Sequence, residues 1–123
     1  MYRDRAQSNL NVFGVKLSQY ANTPSLGGLG DVLEIGTVMR RQAQDLDRLP
    51  EPPPRFKQVH DQYRASLLSF ADFVVTVVEL DLTDADNVFV WLDAYVEGVE
   101  AILFAVEDYA LVVGLDLPPE LSE

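Results

Sequence analysis

The chain has no cysteine, one histidine and one tryptophan in 123 residues. Without cysteine it cannot close a disulfide, build a thiolate metal site or attack a substrate through sulfur. The single histidine, His60, also excludes a di-iron bundle centre, which draws a Glu-x-x-His pair from each of two helices. Basic residues are missing from a whole region: beyond Arg64 there are thirteen acids and neither lysine nor arginine, whereas residues 1–64 carry nine bases against seven acids. The net charge of −11 therefore resides in the second half. Such a surface repels phosphates and anionic headgroups, so nucleic acid is disfavoured as a partner, while a basic protein or a cation would be attracted. The same carboxylates also serve simply to keep an oily segment in solution. Long apolar runs are lacking too. Leu67–Leu80 is too short to cross a bilayer, and the last apolar stretch is interrupted by Asp93, Glu97, Glu100, Glu107 and Asp108, so no segment reads as a leader peptide or a membrane span.

What the sequence does have is helical periodicity. The longest run without a breaker, Asp84 to Gly114, places Val88, Tyr95, Ile102 and Tyr109 at heptad position a. Trp91, Gly98, Ala105 and Val112 fall at d, and Leu92, Val99, Val106 and Val113 at e. Thr83 or Asp84 can cap its start, and Gly114 followed by Pro118 and Pro119 can end it. A third helix follows from the prolines after Leu49, with Phe56, Tyr63, Phe70 and Val77 at a, and His60, Leu67 and Val74 at e. Its section Phe73–Val78 is β-branched enough for a strand, but the helical period continues through it from Phe56, and packing outweighs propensity.

Earlier in the chain, Ala6, Leu10, Phe13, Leu17 and Tyr20 step by four and three, as do Leu29, Val32, Gly36, Met39, Ala43 and Leu46. Gly36 and Ala43 are small enough to let a neighbouring helix approach. Asp31 with Glu34 has capping-box spacing. The intervening Gly-Gly-Leu-Gly-Asp follows no strand, lacks the Lys-Ser or Lys-Thr of a phosphate loop and puts Asp31 where phosphate would sit, so it reads as a connection. Helices over about 2–20, 29–49, 53–80 and 84–113 therefore predict an all-α domain spanning 1–123, an antiparallel four-helix bundle running up-down-up-down, with two shorter helices followed by two longer ones.

The fourth helix is more apolar than a bundle seam requires. Phe89, Val96, Leu103 and Ala110 at b, with Val90, Phe104 and Leu111 at c, widen the apolar arc beyond what three partners cover. Self-association as a homodimer through Phe89, Val96, Leu103 and Phe104 is the expectation. Other candidate sites are bland by comparison. Tyr63, Phe70, Trp91 and Tyr95 have the spacing of core residues, but such residues can also line an apolar ligand pocket. Asp93, Glu97 and Glu100 lie within two turns and could chelate a hard cation, or form a solvated face. His60, beside Asp61, could act as a base only with a nucleophile and an oxyanion site, and neither can be named. No catalytic residue and no cofactor is assigned.

One segment has a familiar look. Pro50–Tyr63, with Pro52, Pro53, Phe56, His60 and Tyr63 following a helix that ends at Leu49, resembles the helix-proline-helix segment of all-helical extracytoplasmic domains in bacterial lipoproteins and other anchored proteins. The resemblance covers about the middle third of the chain. It implies a helical bundle held outside the cytoplasm by a leader that the sequence in hand does not contain, and it implies no catalytic residue. A cytoplasmic location stays open. The expected role is a non-enzymatic helical interaction module, the alternative being a carrier of a small molecule or cation.

Overall fold

The computed structural model describes residues 2–21, 29–81 and 83–121. Among the described residues there are four α-helices: α1 Tyr2–Ala21, α2 Leu29–Asp47, α3 Pro54–Val75 and α4 Ala85–Val113. Helices consecutive in the chain pack against each other, α1 on α2, α2 on α3 and α3 on α4, which gives the antiparallel up-down order. Gly27 and Gly28 of the Gly-Gly-Leu-Gly-Asp connection and the Asp31 side chain lie outside the described residues, and Leu29 to Asp31 already belong to α2.

Local chemistry explains the ends of α4. Asp84, not Thr83, is the cap: its Oδ1 accepts from the backbone N–H of Asp86 and Asn87 at 3.1 and 3.3 Å. Thr83 is instead held by Asp81, whose carboxylate accepts from its N–H and hydroxyl, and those bonds hold the Asp81 carboxyl below the usual range. At the far end Gly114 takes φ 84° and its N–H donates to Ala110 O, the left-handed stop that a glycine permits.

The third helix ends differently from the expectation of continuous α-winding to residue 80. After Val75 the chain tightens into a 3-10 turn, Thr76–Glu79. Thr76 Oγ1 donates to Phe73 O at 2.6 Å and accepts from Trp91 Nε1 at 3.0 Å. A hydroxyl bonded back into the preceding turn, within a run of β-branched residues that resist α-winding, accounts for the change of pitch. The tighter turn buries Val77 and leaves Val75 and Val78 exposed.

The core runs along the whole bundle: Leu10 and Phe13 from α1, Met39 and Leu46 from α2, Tyr63 and Leu67 from α3, and Ile102, Val106 and Tyr109 from α4. Gly36 makes the close approach its size suggested; a Cβ there would stand 3.1 Å from Val74 Cγ1. Gly98 is tighter still, since its Cβ would fall 2.6 Å from the ring of Phe70.

On α4 the heptad reading holds at first and then slips. Trp91, Ile102 and Tyr109 are buried at a and d, but Val112 at d is exposed and Ala110 at b is buried. A straight helix turns 100° per residue, so a seven-residue repeat drifts by about 20° each time, and by the fourth heptad the inward face has moved off d towards e and b. Val113 at e is accordingly buried.

Beyond Gly114 the chain turns back along α1. Arg3 Nε donates to Gly114 O at 3.1 Å. Gln7 donates to Asp116 O at 2.8 Å and accepts from Asp116 N–H at 2.7 Å. Pro118 and Leu121 lie over Gly14, the latter in a short 3-10 turn, Pro119–Leu121, and Leu121 is buried. The stretch that holds Pro118 and Pro119 thus does more than end α4: it covers α1.

Candidate functional site

Two features stand out: a hydrogen-bonded layer inside one end of the bundle, and an apolar face outside α4. The layer begins with His60, brought onto the inner face of α3 by the same four-and-three stepping that buries Phe56 and Tyr63. Tyr2, in the first turn of α1, places its hydroxyl 2.7 Å from His60 Nδ1 and 2.7 Å from the hydroxyl of Tyr109 on α4. One assignment gives both of these hydroxyl hydrogens an acceptor: Tyr109 donates to Tyr2, and Tyr2 donates to an unprotonated Nδ1. Beside it, Gln42 of α2 donates to Asn9 Oδ1 at 2.7 Å and to the Tyr63 hydroxyl at 3.1 Å. The Tyr63 and Tyr109 rings meet at 5.0 Å, which joins the two sets of bonds through ring contact.

Burial sets the protonation of this layer. It lowers the pKa of His60, with Asp61 and Asp47 pulling the other way and Arg64 and Lys57 adding to the depression. It raises those of Tyr63 and Tyr109 far above the ordinary phenol, and that of Tyr2 upward as well. Burial thus favours neutral phenols around a neutral imidazole, the forms in which the bonds from Tyr109 through Tyr2 to Nδ1 are complete. Among the described residues no buried side-chain nitrogen or oxygen lacks a partner.

The aromatic candidates do not converge on one pocket. Tyr63 belongs to the layer just described, with Phe13 and Tyr109 as neighbours. Phe70, Trp91 and Tyr95 lie towards the other end of the bundle. Trp91 stacks on Phe73 at 5.1 Å and on Tyr95 at 5.5 Å, and Phe70 meets Tyr95 at 5.5 Å. The rings fill one another's space. A furrow of about 350 Å³ between α3 and α4, edged by Ser66, Ser69 and Gly98, is open to solvent.

Asp93, Glu97 and Glu100 are exposed along α4. Among the described residues no three carboxylate or histidine side chains are placed to hold a metal ion. Of the four residues expected at an interface, Phe89, Val96 and Phe104 are 66, 54 and 72% exposed. Leu103 is not on that surface: it is partly buried and packs inward against the core. Leu111, at 81%, takes its place. Five of the carboxylates of α4, Asp93, Glu97, Glu100, Glu107 and Asp108, surround these side chains, and none is ion-paired among the described residues. The excess of apolar b and c positions is the signal that makes this face legible; its exact membership depends on the drift of the heptad.

Comparison with protein-family models, with curated proteins and with solved structures finds no match to this chain.

Proposed function

We propose that the chain is a non-catalytic helical interaction module, in which α1, α2 and α3 form the scaffold and the outer face of α4 is the docking surface. The observation that carries this reading is the set Phe89, Val96, Phe104 and Leu111, four large apolar side chains facing water on a helix whose opposite face already fills the core. Large apolar side chains left facing water along one helix face, set among charges, mark an interaction site. The occupant is another helix, supplied by a second copy or by a different protein. On the resemblance of the Pro52–Tyr63 segment we place the module outside the cytoplasm, and a reporter that is active only after export tests that location.

The docking reading is tested with the double variant Phe89→Ser/Phe104→Ser. If the face is a free surface, the variant loses binding of an environment-sensitive apolar dye while its stability changes by no more than about 0.5 kcal/mol, as for surface substitutions generally. A loss of about 3 kcal/mol or more would show that these rings are structural and remove the reading.

A further inference from the structure

The outer face of α4 is ordered as well as apolar. Starting at Phe89 and stepping by four or three residues, one meets Phe89, Asp93, Val96, Glu100, Phe104, Glu107 and Leu111, all exposed. These steps follow the 3.6-residue turn, so the seven positions form one stripe about 33 Å long. Along it apolar and carboxylate side chains alternate at every turn. Glu97, beside the stripe, adds to its charge: Asp93 with Glu97 and Glu97 with Glu100 are like-charge pairs at i,i+4 and i,i+3, each disfavouring the isolated helix by a few tenths of a kcal/mol. No lysine or arginine beyond Arg64 relieves them.

We propose that this stripe seats a basic amphipathic helix whose apolar and cationic side chains alternate turn by turn, the complement of α4. The proposal rests on the reading of α4 as the docking face and names its partner. Apolar contacts at Phe89, Val96, Phe104 and Leu111 supply most of the affinity, because exposed ion pairs contribute little each. Lysines or arginines opposite Asp93, Glu100 and Glu107 supply selectivity and register, and can also lie over the ring faces of Phe89 and Phe104. The same order argues against a second copy. The stripe reads alike from both ends about Glu100, so two copies of α4 paired antiparallel set Glu100 against Glu100 and Glu107 against Asp93. A slip by one turn buries carboxylates under apolar side chains. Either register places unrelieved negative charge in the contact.

The test uses the full 123-residue chain and three helical peptides, titrated by fluorescence anisotropy at low and physiological salt. One peptide alternates Leu and Lys with the spacing of the stripe, one has Glu for each Lys, and one has Ser for each Leu. The Leu/Lys peptide binds at least tenfold tighter than either control, and more weakly as salt rises. Phe89→Ser/Phe104→Ser costs at least tenfold with an unchanged circular dichroism spectrum, and Glu100→Lys/Glu107→Lys turns the preference towards the Leu/Glu peptide. Equal binding of the Leu/Lys and Ser/Lys peptides, or undiminished binding by Phe89→Ser/Phe104→Ser, overturns the proposal. If no peptide binds and the chain forms a dimer that Phe89→Ser/Phe104→Ser dissociates, the occupant is a second copy: the proposal falls and the docking face stands. If no peptide binds and both proteins are monomeric, both readings fall.

Discussion

The two ends of the bundle are filled by different means. Where Tyr2, His60 and Tyr109 meet, side chains from three helices are all buried, and their polar atoms bond to one another across 58 and 107 residues of sequence. Where Phe73, Trp91 and Tyr95 meet, the rings stack at the margin of the core, Phe73 and Tyr95 are only partly buried, and one hydrogen bond, Trp91 to Thr76, ties the cluster to the backbone turn. Stacked rings tolerate a shift of position. A chain of hydrogen bonds in a dry site does not, because any shift leaves a donor without an acceptor. The first end therefore fixes how the helices are registered, and the second contributes buried area.

Ways to break that contrast can be ranked by size. The largest effect is expected for Tyr109→Ala, which removes a buried ring together with the hydrogen bond it gives the Tyr2 hydroxyl, at about 3–5 kcal/mol by chemical denaturation. Trp91→Ala should cost about 3 kcal/mol, the low end for a buried aromatic ring, because its neighbours Phe73 and Tyr95 are only partly buried. If Trp91→Ala costs more than Tyr109→Ala, the ranking of the two ends is wrong. Next comes Gln42→Ala, which leaves the Asn9 amide and the Tyr63 hydroxyl without their partner and should cost about 1–3 kcal/mol.

Acid sharpens the contrast. His60 has a lower pKa folded than unfolded, so the native state favours the neutral ring. Its stabilising contribution is complete above the unfolded value of about 6.5 and is lost as pH falls from there through the depressed folded value. A proton on Nδ1 would reverse the chain of bonds and leave the Tyr109 hydrogen without an acceptor. Melting temperature against pH should fall in that window for the native chain and more shallowly for His60→Gln. Equal slopes would detach His60 from the acid response. The smallest effect belongs to Trp91→Phe, which deletes the bond to Thr76 and should cost about 1 kcal/mol.

Much of this architecture is legible in the sequence wherever the cause is local. The Asp84 cap, the Gly114 stop and the close approach at Gly36 each follow from a residue type at a place in a periodic pattern. The helical nature of Phe73–Val78 follows from a period begun at Phe56. The outward surplus on α4 is legible as a count of apolar positions, but the inward turn of Leu103 is not, because it needs the true pitch of the helix. The link from Tyr2 to His60 and Tyr109 is illegible for another reason: nothing near any of the three indicates residues so distant in the chain. The path of Leu115–Leu121 across α1 is hidden in the same way, since short irregular segments carry no period.

That last segment makes one backbone amide informative. Asp116 N–H belongs to no helix, yet Gln7 Oε1 holds it at 2.7 Å. It should exchange with deuterium as slowly as amides in a helix, and its rate should follow the lifting of α1 away from its neighbours rather than the fraying of α4. A single proton in an irregular tail thus becomes a gauge of whether the first helix is seated.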